Sequence, residues 1–156
     1  MLNLFLLRHA EAEPFSPFGD SQRPVSHGGR EQLNALLARR HDQLQEAGLW
    51  LVSPYLRTQQ TCQQLYFGSG RVETIEQLTP ESHPTTAIAA IDMALESLPN
   101  SDQTQSVVAV THMPLIGDLI EQLCGQRIGV STATLTLIQF DIFGPQLGTL
   151  VWSDNP

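Results

Sequence analysis

Lysine is missing from this chain: all eight of its cationic side chains are arginine. Cationic contacts therefore run through a planar donor fork suited to carboxylate or phosphate, so where the eight fall matters. Basic charge as a whole is scarce. Sixteen acidic residues leave a formal charge of −8 and a pI near 4.9, which argues against a general binder of nucleic acid or acidic membrane, because such proteins need a basic footprint. Cysteine is limited to Cys62 and Cys124, in segments that look helical and without CxxC spacing. They read as reduced packing residues of a cytosolic protein. Long apolar runs are missing too. The opening stretch Leu2 to Leu7 is too short for a signal-peptide core or a membrane span and lacks a basic leader, so the expected location is the cytoplasm. There is no internal repeat, and the one low-complexity hint, TQQTCQQ, is short and broken by apolar residues.

What is present is enough apolar material, 41% of residues, for one core in a length too small for two ordinary domains. Residues 1–156 are accordingly expected to form one domain. LNLFLL reads as a short strand buried on both faces. The stretch EAEPFSPFGDSQRPVSHGG carries three prolines and three glycines and reads as a long loop, of the kind that is usually functional or mobile. A helix follows in REQLNALLARRHDQLQEAG, with Leu33, Leu36, Leu37 and Leu44 at helical spacing and Gly48 closing it. LWLVS is the next strand, and SPYLRTQQTCQQLYF a helix with Ser53 as N-cap and Pro54 in the first position. RVETI is a weak strand, EQLTPESHP a loop, TTAIAAIDMALESL a helix and SVVAVTH a strongly β-branched strand. PLIGDLIEQLCG is the last helix, and TATLTLIQFDI with GTLVWS reads as a final hairpin. The order β-α-β-α-β-α-β-α-β-β predicts an α/β fold: a three-layer α/β/α sandwich on a mainly parallel central sheet, with antiparallel strands at one edge.

In such sheets ligands bind at the carboxyl ends of the strands. Strand one ends on Arg8-His9. Strand two ends on Ser53-Pro54, with Arg57 one turn into the helix beyond, and strand four ends on Thr111-His112. An arginine in the first turn of a helix opposes the helix dipole, which favours anion binding over idle exposure. Two histidines and two arginines on one rim, beside open helix N-termini, describe a pocket for a dianion such as phosphate or sulfate.

These segments resemble a family. LLRHAEA is similar to the signature of the histidine phosphatase superfamily, whose fold is phosphoglycerate mutase-like, with Ala10 in the third place. SPYLRTQQT resembles its second-arginine motif and VAVTHMP its second-histidine motif. SQRPVSHGG, the QLTP of residues 77–80 and the STA of residues 131–133 resemble stretches of its small SixA-type phosphohistidine phosphatases. The resemblance runs from residue 2 to about residue 152. It implies that His9 is a nucleophile that becomes phosphorylated and that Arg8, Arg57 and His112 hold the phosphoryl oxygens. Arg23 and the backbone near Thr132 add contacts. Phosphoryl transfer rests on charge neutralisation and in-line positioning, and a neutral imidazole is a competent nucleophile near pH 7. With arginines supplying the charge, no metal and no cofactor is expected.

The general acid is where the pattern departs from the family. Larger relatives carry a glutamate after the third strand region. Here QLTPES puts proline near that place and leaves Glu81 as the nearest candidate, with Glu76 and Glu11 behind it. A phosphorylated imidazole can leave on its own ring proton, whereas an alkyl phosphate ester needs a positioned acid. The sequence therefore favours a phosphohistidine phosphatase acting on a phosphorylated protein, with a histidine-containing phosphotransfer domain as the expected partner. A sugar phosphate or other small-molecule phosphatase and a non-catalytic phosphate-binding module stay open as alternatives, a phosphoglycerate mutase less so.

Overall fold

A computed structural model describes all residues, 1–156. Its strands are β1 (Leu2–Arg8), β2 (Leu49–Val52), β3 (Arg71–Thr74), β4 (Gln105–Thr111), β5 (Leu135–Phe140) and β6 (Thr149–Asp154). The helices are α1 (His27–Gln45), α2 (Leu56–Leu65), α3 (Pro84–Leu95) and α4 (Leu115–Cys124). One six-stranded sheet has the order β3-β2-β4-β1-β5-β6. Strands β1 to β4 are parallel, and β5 runs antiparallel to both β1 and β6. This is the predicted α/β layout, antiparallel edge included.

Alternation along each strand supplies two cores. Leu4 and Leu6, Leu49 and Leu51, and Val107 and Ala109 join α3 and α4 in a cluster of 19 buried residues. Their neighbours Phe5 and Leu7, Trp50 and Val52, and Val108 and Val110 join α1 and α2 in a second cluster of 17. Continuous apolar strands are what a sheet covered on both faces requires. No helix of the chain is long and apolar enough to cross a membrane.

Topology then places a crevice. Parallel crossovers are right-handed, so the connections β1-α1-β2 and β2-α2-β3, running one way along the sheet, put their helices on one face. The connection β3-α3-β4 runs back and puts α3 on the other, where α4 joins it. Adjacent strands β1 and β4 thus send their chains to opposite faces, and a ligand crevice opens at their carboxyl ends. The register pairs Arg8 with Thr111, so His9 and His112 stand side by side one residue beyond.

Three local expectations are corrected. Helix α1 begins at His27 rather than Arg30, with Ser26 as N-cap accepting from the Gly29 N–H at 3.0 Å. The glycines that looked like loop are there for closeness: a Cβ on Gly29 would lie 2.1 Å from the Glu11 carbonyl oxygen. At its other end α1 stops on Glu46 in right-handed conformation, so Gly48 is not its terminator. Helix α2 begins at Leu56 with Tyr55 in the capping position. Ser53 is fully buried and serves the site instead.

Candidate active site

His9 is set by its own backbone. Its N–H donates to the Thr111 carbonyl at 3.1 Å, and its Nδ1 lies 2.7 Å from the Ala10 carbonyl oxygen. A carbonyl only accepts, so Nδ1 carries the proton, and in the neutral ring the lone pair sits on Nε2. Burial pushes His9 down to about 4, the Arg57, Arg8 and Arg23 charges add to this, and the Ala10 bond opposes it. The ring is therefore neutral around pH 7.

His112 packs beside it with ring centroids 5.1 Å apart. Its Nε2 is 2.7 Å from Ser53 Oγ, while Nδ1 is buried without a partner. Burial, then the His9 ring and the arginine charges, push His112 down to about 2. Tyr55 covers its other side edge-on at 5.0 Å.

Arg57, 4% exposed, projects from the first turn of α2. Its Nη1 donates to the Asp20 carbonyl at 2.8 Å and its Nη2 to Asp20 Oδ2 at 3.3 Å. Its Nε has no partner although buried. Arg8 repeats the pattern: Nη1 donates to the Val130 carbonyl at 2.9 Å, and Nε is buried and unpaired. Burial lowers both guanidinium pKa values, for Arg8 with the facing Arg57 charge adding to it, yet arginine starts so high that both stay cationic. Two guanidinium edges and an imidazole nitrogen, buried and unsatisfied, belong at an anion site. Unpaired buried donors are rare unless a ligand takes them.

Arg23 is tied in through Asp20, donating from Nε to Oδ1 at 2.8 Å and from Nη1 to the Glu13 carbonyl at 2.9 Å. Partial burial would raise the Asp20 carboxyl, but the bonds and charges of Arg23 and Arg57 outweigh it and hold the group below its ordinary range. Thr132 lies at the strand tip. Its neighbour Ala133, at φ 57°, donates from its N–H to the carbonyls of both Arg8 and His9. Thr132 Oγ1 accepts from Gln32 Nε2 at 3.0 Å.

Of the candidate acids, Glu81 is linked to His112 through Tyr55, whose hydroxyl donates to its carboxylate at 3.1 and 3.3 Å and whose ring packs on the imidazole. Glu11 is held away by Ser26 Oγ at 2.8 Å, and Glu76 sits on an exposed turn bonded to none of these groups. Sequence reasoning missed Ser53, Asp20 and Thr61. Thr61 donates to the Arg57 carbonyl at 2.7 Å and accepts the Ala10 N–H at 3.1 Å, fastening α2 to the β1 tip. Its signal was the spacing of four from Arg57, one helical turn. Asp20 gave only its position three residues before Arg23.

No family model matches the chain. Over 155 residues, 99% of this chain and 94% of the other, it is 26% identical to the phosphohistidine phosphatase SixA of Escherichia coli strain K12. Its fold matches a solved structure of the protein histidine phosphatase SixA complexed with tungstate, with a TM-score of 0.81 at 25% identity, over 97% of this chain and 95% of that one. A phosphoserine phosphatase of Entamoeba histolytica in complex with 3-phosphoglyceric acid has the same fold, with a TM-score of 0.71 at 15% identity, over 100% and 98%. These likenesses bear out the resemblance to SixA-type members of the histidine phosphatase superfamily, and the fold expected from it.

Proposed function

We propose that this chain, similar over its whole length to SixA-type phosphatases, removes phosphoryl groups from phosphohistidine on a protein, with His9 as nucleophile. The observation that carries the proposal is the neutral His9 ring with its Nδ1 proton committed to Ala10, beside buried unpaired donors on Arg8 and Arg57 and an unpaired ring nitrogen on His112. Nε2 attacks phosphorus, the P–N bond of the substrate breaks, and the substrate imidazole departs neutral with the proton its ring already carried. Phospho-His9 keeps its Nδ1 proton through Ala10, so its own ring is a good leaving group in turn. Water then adds to phosphorus, the P–Nε2 bond breaks, and dihydrogen phosphate leaves with both of the water's protons.

Arg8 and Arg57 neutralise the equatorial oxygens and the neutral His112 ring hydrogen-bonds there, with Arg23 and the Thr132 backbone at the margin. With that charge supplied by arginine the reaction needs no metal, and chelators are expected to leave the rate unchanged. The alternative reading, a phosphatase of small esters, has the fold of the phosphoserine phosphatase in its favour. Leaving-group chemistry separates the two. Glu81 is the carboxylate nearest the role of acid, reached through Tyr55. Two free cysteines, one of them buried, suit the reducing cytoplasm as its setting.

The test is a rate comparison across a histidine-phosphorylated phosphotransfer domain, aryl phosphates and alkyl phosphates, for the native chain and Glu81→Gln. Phosphohistidine is expected fastest and alkyl esters nearly inert, with Glu81→Gln changing the phosphohistidine rate little. A preference for an alkyl ester, or a large loss on phosphohistidine in Glu81→Gln, would replace this reading with the small-ester one.

A further inference from the structure

We infer that the loop of residues 14–19 is the docking surface for the protein that carries the phosphohistidine, with Phe15 and Phe18 as its apolar anchors. This rests on the function proposed above and adds how that site selects its substrate. Phe15 is 74% and Phe18 81% exposed, while Phe5 and Phe140 lie in the core. Two aromatics standing in water on one loop need a reason, and aromatic side chains concentrate at the centres of protein interfaces.

The loop holds them out by its own bonding. Ser16, between them, is buried; its Oγ accepts the Phe18 N–H at 3.2 Å and its carbonyl the Gly19 N–H at 3.2 Å. Gly19 turns at φ 101°, a conformation glycine allows at little cost. Pro14 and Pro17 have fixed φ. Below them the loop is closed by the bridge between Ala12 and Val25 and by the Arg23 bond to the Glu13 carbonyl. A loop ordered before binding loses little entropy when a partner arrives.

The loop also runs straight into the phosphoryl pocket. Phe18 is two residues from Asp20, a chain distance of about 7 Å, and Asp20 grips both Arg57 and Arg23. An open cavity of about 520 Å³, lined by Pro14, Phe15, Ser16, Gly19, Asp20 and Arg23, runs from Phe15 to Arg23. With a phosphoryl group seated among the arginines, the substrate imidazole points outward and the surface of its carrier comes to rest on this loop. Free phosphohistidine is too small to cover it.

Charge narrows the occupant further. The carboxylates next to the two ends of the loop, Glu13 and Asp20, are exposed; Arg23 is paired with Asp20, which leaves Glu13 as the free charge there, on a chain of charge −8. The complementary partner presents its phosphohistidine within an apolar collar and a basic rim. A second copy of this chain would bring like charge against like.

The test compares kcat/KM for free phosphohistidine with that for a histidine-containing phosphotransfer domain phosphorylated by phosphoramidate, in the native enzyme and in the double variant Phe15→Ser, Phe18→Ser. The native enzyme should favour the protein substrate by about tenfold or more, and the variant should lose about tenfold on it, mainly through KM. Free phosphohistidine should be turned over within twofold of the native rate. Equal native rates on both substrates, an equal loss on both, or no loss on the protein would overturn the inference. So would a native dimer that the variant dissolves, which would assign the loop to self-association. Native turnover of free phosphohistidine reports on the function separately: if neither substrate is hydrolysed, the function fails and the docking surface with it.

Discussion

At the scale of single residues, the site consists of two histidines kept neutral and two arginines kept unsatisfied. An ordinary imidazole titrates near pH 6.5, whereas burial lowers His9 to about 4 and His112 to about 2. Between pH 6.5 and 4 the unfolded chain binds protons at these positions that the folded chain does not. Stability therefore falls as pH drops through that window and is recovered as pH rises above it. Nuclear magnetic resonance of the ring nitrogens should find both histidines neutral down to pH 5, and midpoints near 6.5 would mean that the fold does not hold these rings neutral. The arginines make a second prediction. Arg57→Lys keeps the charge but cannot serve Asp20 and a phosphoryl oxygen from one planar group. We expect kcat/KM to fall on the order of 100-fold, about 2.7 kcal/mol of transition-state stabilisation. A near-native rate would make Arg57 a packing residue.

At the scale of elements, much of the site was legible because strand ends are marked by a change in chemistry. LNLFLL stopping on Arg8-His9 and VVAVT on His112 told where the chain leaves the sheet, and the β-α order told that both ends share a rim. Ser53 was misread because a serine before a proline is an ordinary helix start; only the adjacency of β2 and β4, set by pairing Val52 with Val110, brings it against His112. Asp20 was invisible for a similar reason, since its partners Arg57 and Arg23 are chosen by how the loop folds back. The glycines of HGG were read as loop because glycine marks both turns and close approaches, and the sequence does not say which. That ambiguity yields a test. In Gly29→Ala the new Cβ meets the Glu11 carbonyl and Val25 Cγ1, both under 3.0 Å. Backbone cannot yield cheaply, so α1 must shift, at a cost of about 1–3 kcal/mol. Thermal unfolding should show a lowered Tm, with kcat falling too, because Glu11 is two residues from His9. An unchanged Tm would mean the helix start has room that the geometry denies.

At the scale of the whole molecule, an acidic chain gathers three of its eight arginines in one crevice. Five arginines lie elsewhere, and Arg39, Arg40, Arg71 and Arg127 among them are paired with carboxylates. Arg8, Arg57 and Arg23 gather at the switch point, where β1 and β4 send their chains to opposite faces of the sheet. The two apolar layers hold that point rigid, and the histidines lie in it as neutral rings. The central claim is that a phosphoryl group passes through His9. The measurement that reaches it most directly is rapid quenching of the enzyme during turnover of a radiolabelled phosphohistidine protein, with the label then mapped along the chain. The expected result is a phosphoenzyme that is stable in alkali, labile in acid, confined to the peptide containing His9 and absent in His9→Ala. An acid-stable label, a label on any other residue, or turnover by His9→Ala at the native rate would contradict it.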